Sequence, residues 1–431
     1  MCRYGEAIVT RQTLSAAPAP ADAHAPAVAG EPAGAPIGFA EFVALVAALM
    51  SLAALGIDSM LPALPAIGHA LGVETENQRQ FVVTAFILGF GIAQIAHGPL
   101  ADRFGRRRVL LWAIGGYVVA NIACAVSASF TLLLAARVFG GAMVAATRVA
   151  TVAIVRDCYH GRPMARVMSI AFMVFMVVPV LAPAFGQTVL LFANWRGIFW
   201  VVAGLSLGIW TWFFTRMPET LRPESRQSLS PARIVAGWRQ TLGDRLSLGY
   251  TLASTSLMGA LYGYLNSVQQ IMSDTFHQPR LLAVMFAVTA MLMAAANLTN
   301  ARLVMRLGTR LISHSAVTML VVLSAIHLAV AFAGYETMVG FVVLQALTMG
   351  CFGLATSNFS SMAMENMGGI AGTASSVQGF TSITVGAVVG AAIGQAFDGS
   401  TAPLAAGFLI CGLISLSVVA ITERGRMFRP A

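Results

Sequence analysis

Twelve apolar runs, each about as long as a membrane-crossing helix, occupy most of this chain of 431 residues. Charged residues make up 10% of the chain, whereas soluble domains carry roughly a quarter. The mean hydropathy is +0.78. So little charge cannot cover the surface of a soluble protein of this size, and the composition predicts an all-α membrane protein. The predicted spans are 39–63, 80–101, 108–128, 131–155, 165–191, 196–217, 247–272, 282–301, 311–334, 337–358, 374–397 and 403–422.

The arginines orient these spans in the membrane. All 26 basic residues are arginine, and the formal net charge is +9. Cytoplasmic loops carry an excess of basic residues. With the N-terminus inside, 21 arginines fall on the cytoplasmic side and three on the other, so both termini are predicted to be cytoplasmic. Because the arginines stand in short clusters between apolar runs, we expect no nucleic-acid partner.

The longest polar segment between spans divides them six and six. Corresponding loops of the two halves resemble each other, since Asp102–Arg108 and Ala301–Arg310 are both basic and both contain glycine. Two repeats of six spans around a central site is a known plan for membrane transporters. The predicted organisation is a disordered cytoplasmic tail at 1–37, a helical bundle at 38–217, a cytoplasmic linker at 218–246, a second bundle at 247–422 and a cytoplasmic tail at 423–431.

The loop after the second span carries the most specific motif, Gly98-Pro99-Leu100-Ala101-Asp102-Arg103-Phe104-Gly105-Arg106-Arg107-Arg108. Gly98 and Gly105 allow a tight turn, and Asp102 can face the positive N-terminus of another helix. The arginines hold the loop at an anionic membrane surface. The motif resembles the loop signature of the major facilitator superfamily. By that resemblance, the residues of a conformational-switch loop are Gly98, Asp102, Arg103, Gly105, Arg106 and Arg107.

Further segments resemble the twelve-span drug–proton antiporters of that superfamily, in particular the Bcr/CflA group. They are Asp58–Pro65, Ile154–Asp157, Trp195–Trp200, Pro218–Leu221 and Ala371–Ser376. Two motifs depart from the group. The fourth span keeps Arg137 but lacks the glutamine that follows it in the group, and the fifth keeps Pro183 but only one of two final glycines, Gly186.

The resemblance implies two pseudo-symmetric six-helix bundles that rock about a central substrate site. It implies a proton-coupled antiporter in a bacterial inner membrane that exports drug-like molecules. A cavity with aromatic and methionine walls and one acid suits hydrophobic, neutral or cationic compounds. A sugar or metabolite exporter of the same fold is one alternative, and a membrane sensor that transports nothing is another. We expect a monomer whose partners are a small-molecule substrate, protons and lipid.

Charged groups within a span are costly and therefore mark functional candidates. Asp58 and Arg137 lie at one depth, roughly 9–10 Å below the outer end of their spans at 1.5 Å per residue. We expect the carboxylate to pair with the guanidinium and protonation to release it, which would couple protons to helix movement. Arg148 shares a helix face with Arg137. It either lines the inner cavity or extends to the cytoplasm.

Polar side chains elsewhere in the spans are candidates for the cavity wall or for hydrogen bonds between helices. With Met60 and Arg148, these are Tyr262, Asn266, Gln269, Asn297, Gln345, Asn358, Gln378 and Thr381. A stripe of Gly386, Gly390 and Gly394 predicts close helix packing. No spacing of cysteine, histidine or acidic residues suggests a metal site, and the sequence contains no phosphate-binding loop or catalytic constellation. We therefore expect neither a cofactor nor enzymatic activity.

Overall fold

The computed structural model describes residues 35–159, 161–226 and 231–428. These residues form fourteen α-helices. The helices are α1 Phe39–Asp58, α2 Leu64–Ala70, α3 Phe81–Phe104, α4 Arg106–Val126, α5 Phe130–Cys158, α6 Gly161–Leu190, α7 Trp195–Arg216, α8 Pro231–Gly243, α9 Arg245–Gln270, α10 Leu282–Leu307, α11 Thr309–Phe332, α12 Met338–Ala363, α13 Ala371–Gln395 and α14 Ala402–Thr422. The predicted disordered tail lies outside the described residues up to position 34.

Ten helical segments of the described chain are long and apolar enough to cross a membrane, and each coincides with a predicted span. The fifth and seventh predicted spans correspond to α6 and α9, which are 30 and 26 residues long but are not among the ten. Most residues of α9 are buried, including many polar ones. A helix surrounded by protein presents little surface to lipid, so it does not need the hydropathy of a lipid-facing span.

The long helices pack as two sets in chain order. In the first set α5 packs on α3 and α4, α4 packs on α7, and α1 packs on α6. In the second set α9 packs on α13 and α14, and α12 packs on α10 and α11. The sets meet mainly where α3 lies against α13 and α6 against α10. We call the ends of the helices at Gly105 and Gly308 the arginine-rich face, and the opposite ends, at Thr75 and Gly399, the arginine-poor face.

Glycines allow the helices of each set to approach closely. A side chain at Gly390 in α13 would overlap the Cβ atom of Tyr262 in α9, and one at Gly386 would lie 3.0 Å from the Cβ atom of Met258. At Gly394 it would meet the Cβ atom of Asn266 at 2.8 Å. The predicted role of this stripe in close packing is confirmed. Close packing of this kind is a main source of helix association in lipid.

We expect Gly141→Ala to destabilise the protein, because the new methyl group would overlap the backbone carbonyl of Phe86. Overpacking against groups that cannot move aside costs roughly 1–3 kcal/mol. Gly204→Ala in α7 is the matched control, since nothing lies within 4 Å of its Cβ position. Thermal unfolding of both purified variants in one detergent measures the difference. Equal unfolding temperatures would contradict the close contact of α5 with α3.

The α8 helix is a feature that the sequence did not predict, because the segment 218–246 looks like a polar linker. The helix packs on α9 and α13. Gly237 faces the side chain of Thr373, and the ring of Trp238 lies 5.7 Å from the ring of Phe380. Part of the linker is therefore attached to the second set of helices.

Candidate functional site

The first span is broken after Asp58. The α1 helix ends at this residue, a short turn follows at Leu61–Ala63, and α2 begins at Leu64. Pro62 in that turn has no N–H group and cannot continue the hydrogen bonding of α1. Asp58 therefore sits at a helix end within the protein, where its side chain is 5% exposed.

The carboxyl group of Asp58 is buried, and it has no hydrogen bond and no ion pair with any described residue. Tyr264 in α9 interacts with it electrostatically. The hydroxyl of Tyr264 lies 3.4 Å from the hydroxyl of Thr289 in α10. Gly186 in α6 packs directly on the backbone carbonyl of Ser59. Helices from both sets thus surround a buried acid that has no fixed partner.

Arg137 holds the broken end of α1. Its side chain is 2% exposed, and its Nη1 atom donates to the carbonyl of Gly56 at 2.9 Å while Nε donates to the carbonyl of Val82 at 3.0 Å. The guanidinium also lies over the ring of Phe86, at 4.3 Å. The last carbonyls of a helix lack donors from their own helix. Arg137 supplies the donor for Gly56, two residues before Asp58.

The expected ion pair between Asp58 and Arg137 is not formed. The two side chains lie at similar depth, but Arg137 points at the backbone of α1 and α3. Its Nη2 atom is buried and has no hydrogen-bond partner among the described residues. Arg137 is therefore connected to Asp58 through the backbone of α1, and its Nη2 donor is unused among the described residues.

The basic loop after α3 is partly helical. The α3 helix continues through Gly98 to Phe104, so the tight turn predicted at Gly98 is wrong. Gly105 makes the turn, with a φ angle of 99° that side-chain-bearing residues rarely adopt. A Cβ atom there would also collide with the carboxylate of Glu219. Arg103 remains exposed, at 5.3 Å over the ring of Phe104.

Glu219 and Arg106 organise this turn. The Glu219 carboxylate accepts from the backbone N–H groups of Arg106, at 2.8 Å, and Arg107, at 3.2 Å, and so caps the N-terminus of α4. Arg106 forms ion pairs with Asp102, at 2.5 Å, and Asp157, at 3.4 Å. The partner of Asp102 is therefore an arginine four residues later and not the N-terminus of another helix.

The second half contains a similar turn. Gly308 between α10 and α11 has a φ angle of 79°. Arg310 just after it pairs with Glu423 at 3.0 Å, and Tyr250 donates to the same carboxylate at 2.5 Å. Burial acts to raise the pKa of Glu423, but the hydrogen bonds from Tyr250 and Arg310 hold this pKa below its usual value. The resemblance between the two loops predicted from sequence is confirmed.

Polar contacts close the arginine-poor face. Arg79 forms an ion pair with Asp274 at 2.6 Å. Asn77 donates to the carbonyl of Gln395, the last residue of α13, and to the carbonyl of Phe397, and Gln80 donates to Gln270 in α9. Cross-set hydrogen bonds and ion pairs among the described residues all involve Asn77, Arg79, Gln80, Thr84 or Gln187. Toward the arginine-rich face the described helices of the two sets share none.

Several predicted cavity residues are internal instead. Met60 is completely buried at 0% exposure, so it lines no open cavity in this structure. Asn266 accepts from Thr84 at 3.3 Å, and Gln269 donates to Ser273 at 3.2 Å. Both belong to the closed, arginine-poor side of the site.

Polar residues of α12 and α13 mostly join helices within the second set. Asn358 donates to Asn300 in α10 at 2.9 Å, and Gln378 donates to the carbonyl of Ala363 at 3.1 Å. Gln345 is buried, and its Nε2 atom has no partner in the described chain. Among the predicted cavity residues, Asn297 in α10 and Gln378 and Thr381 in α13 are partly exposed. Of the same predicted residues, Asn266, Asn358 and Gln378 hydrogen-bond to another helix.

Arg148 and Tyr262 face each other across the two sets. Arg148 in α5 is exposed, whereas Tyr262 in α9 is 9% exposed, and the two interact electrostatically. This electrostatic interaction between the two sets favours the inner cavity as the location of Arg148, over extension to the cytoplasm.

Comparisons with known proteins show which proteins this chain resembles. The family model of the Major Facilitator Superfamily matches residues 46–391. The chain is 29% identical over 359 residues to the uncharacterized MFS-type transporter YdgK of Bacillus subtilis, covering 81% of this chain and 87% of that protein. It is 28% identical over 381 residues to the bicyclomycin resistance protein homolog of Haemophilus influenzae, covering 87% and 94%.

A solved structure has a similar fold. The human organic anion transporter MFSD10 (TETRAN) superposes with a TM-score of 0.64 and 19% sequence identity, covering 90% of this chain and 99% of that chain. At this identity the likeness concerns the fold alone.

Proposed function

The chain belongs to the major facilitator superfamily, and from this premise we propose that it exports small drug-like molecules in exchange for protons. The observation that carries the proposal is Asp58, a buried carboxyl group without a fixed partner at a break in the first span. An acid in such a place is costly unless it has a function. The bicyclomycin-resistance name of a relative supports drug-like cargo.

The proposed architecture is twelve spans in two six-helix bundles. The first bundle comprises α1 to α7, with α1 and α2 together forming one span, and the second comprises α9 to α14. The extensive packing within each set and the few helix pairs that join the sets support this division. In this arrangement α6 and α9 are the fifth and seventh spans, and α9 lies at the centre of the second bundle.

We place the arginine-rich face in the cytoplasm of a bacterium, with both termini on that side of the inner membrane and one chain acting alone. The closed arginine-poor face then corresponds to an inward-facing state. Export requires the contacts around Arg79 and Asp274 to break and the arginine-rich ends to close. The turn at Gly105, with its network of Arg106, Asp102 and Glu219, is the proposed switch loop for that movement.

Proton coupling in this scheme starts at Asp58. Loss of its proton creates a buried charge close to the carbonyl of Gly56, through which Arg137 already holds α1. The unused Nη2 donor of Arg137 is then available to the new carboxylate. A shift of α1 toward α5 would move the break, and with it the neighbouring residues of α6 and α9. Protonation reverses the shift.

We expect purified protein in sealed vesicles to move protons when a substrate gradient is imposed. Bicyclomycin is the first probe, and a pH-sensitive dye inside the vesicles is the readout. An efflux-deficient bacterial host that expresses the chain provides a growth screen for further compounds. Empty vesicles are the control for passive leak. Since antiport links the two fluxes, an active substrate must acidify or alkalinise the interior according to the direction of its gradient.

The outcomes separate the functions that the sequence leaves open. Coupled movement of a compound that confers growth resistance supports the export of drugs. Sugar or metabolite exchange with no growth phenotype favours the first alternative. A protein that moves no compound and no protons in any gradient contradicts the transport function and favours a sensor.

A further inference from the structure

A charged side chain in the middle of α5 has no hydrogen-bond or ion-pair partner among the described residues. Arg148 is exposed, yet Thr147 and Ala150 beside it are completely buried at 0%. In the part of the chain that the structure describes it donates no hydrogen bond and joins no ion pair. It precedes the end of α5 at Cys158 by ten residues, roughly 15 Å along the axis. A charged group at that depth in a membrane protein is energetically costly, so an unpaired guanidinium there indicates a function.

The exposure of Arg148 is to an internal space and not to lipid. Phe139, nine residues earlier, is 44% exposed on the outside of α5. Nine residues correspond to about 900° of helix rotation, so Phe139 and Arg148 point in opposite directions. Tyr262, on the facing helix α9, interacts with Arg148 electrostatically. Arg148 therefore faces the space between the two sets of helices.

The charges of Asp58 and Arg137, which lie nearer the arginine-poor face, do not offset it. Asp58 and Arg137 are 5% and 2% exposed, and Asp58 has Tyr264 as its electrostatic neighbour. Arg148 thus places an exposed charge of the described chain in the space between the sets, and that charge is positive. The sequence-based expectation is a cavity with one acid that suits hydrophobic, neutral or cationic compounds, whereas the exposed group at Arg148 is basic.

We propose that Arg148 binds an anionic group of the transported molecule, so that the substrates are organic anions such as carboxylates or sulfonates. The planar guanidinium donates two parallel hydrogen bonds to a carboxylate. Tyr262 contributes a hydroxyl group from the opposite helix and an apolar ring beside the bound molecule. The identification of the bound molecule as a transport substrate rests on the proposed function. Binding itself is measurable without transport.

Three matched pyrene probes test the charge preference. They are 1-pyrenebutyrate, 1-pyrenebutanol and 1-pyrenebutylammonium, and energy transfer from tryptophan reports their binding to purified protein in detergent. We expect the wild type to bind the butyrate more tightly than the alcohol or the ammonium probe. In Arg148→Gln, butyrate affinity falls roughly tenfold to a hundredfold, the value of a hydrogen-bonded charge, while alcohol affinity stays the same.

Two further variants control this result. Arg156→Gln removes an exposed arginine of the same helix near its end and is expected to change neither affinity. Arg148→Lys keeps the positive charge but lacks the parallel N–H donors of the guanidinium. It is expected to retain part of the preference for the butyrate over the alcohol. Size-exclusion chromatography verifies that each variant is folded.

Three results overturn the proposal. They are failure of the wild type to bind the butyrate, tighter binding of the ammonium probe than of the butyrate, and an unchanged ratio of butyrate to alcohol affinity in Arg148→Gln. The first two need no variant, so a poorly folded Arg148→Gln leaves the test decisive. A wild type that binds butyrate through Arg148 but moves no protons contradicts export and preserves the anion site.

Discussion

Asp58→Asn is expected to abolish proton-driven export while the protein remains folded. Asparagine has the size of the acid but cannot exchange a proton near neutral pH. The carboxyl group has no hydrogen bond or ion pair with a described residue, so its replacement breaks no contact that holds α1. We expect the coupled flux in vesicles to fall to the level of empty vesicles. Substrate binding and the thermal unfolding temperature should change little.

The pH dependence of transport provides a second readout. Wild-type exchange should vary with pH, because Asp58 must gain and lose its proton in each cycle, whereas any residual downhill movement by Asp58→Asn should not vary with pH. Glu41→Gln is the matched control. Glu41 lies near the start of the same helix and pairs with Arg216 at 2.7 Å on the arginine-rich face, away from the break. Full coupled flux in folded Asp58→Asn would refute the assignment, as would an equal loss in Glu41→Gln.

Much of the fold is predictable from the sequence. Hydropathy reflects the free energy of moving a residue from water into lipid, and arginines collect on the cytoplasmic side of the membrane. The glycine turns at Gly105 and Gly308 were predictable for a similar reason, since a basic loop with a glycine has few other conformations between two helices. Gly98 was misassigned because a motif does not show where a helix ends. Here α3 continues for six residues beyond Gly98.

Contacts at the site were harder to predict. Sequence spacing gives the depth of Asp58 and Arg137, but not the direction in which each points around its helix axis. The polar partners of Arg137 are backbone carbonyls, which every residue has, so no side-chain pattern marks them. Met60 is buried by tertiary packing around the break in α1, which its own segment does not reveal.

Other residues of the site were missed although the sequence contained signals. Glu219 lies in one of the segments that carried the family resemblance, yet its capping of α4 depends on a contact 113 residues away. Tyr264 stands two residues after Tyr262 on α9, where a run of polar and aromatic residues marks a helix buried in protein. Arg79 and Asp274 lie just outside the predicted spans 80–101 and 247–272, where nothing in the sequence indicates that they pair. Their ion pair across the two sets is one of the contacts that close the arginine-poor face.

The break in α1 links the proposed coupling group to the rest of the molecule. Gly186 packs on the carbonyl of Ser59, one residue after Asp58, and Arg137 holds the carbonyl of Gly56, two residues before it. A movement of the break is therefore transmitted to α5 and α6 without an intervening flexible segment. This arrangement makes Arg137 a positioning residue for α1, and its loss should affect both stability and coupling.

Arg137→Met is expected to destabilise the protein by about 3 kcal/mol, because it leaves the buried carbonyl of Gly56 without a donor and removes the contact with the ring of Phe86. Arg137→Lys keeps a charge, but one ammonium group cannot reach both Gly56 and Val82 in the geometry of the guanidinium. We expect it to unfold at an intermediate temperature.

The two variants also separate structure from coupling. If Arg137 positions the break, Arg137→Lys should retain substrate binding but show a lower ratio of protons to substrate moved, measured in the same vesicles. A purely structural arginine would instead lower the amount of folded protein and leave that ratio unchanged. Wild-type stability and coupling in Arg137→Met would contradict both roles, because no other described side chain donates to the carbonyl of Gly56 at the end of α1.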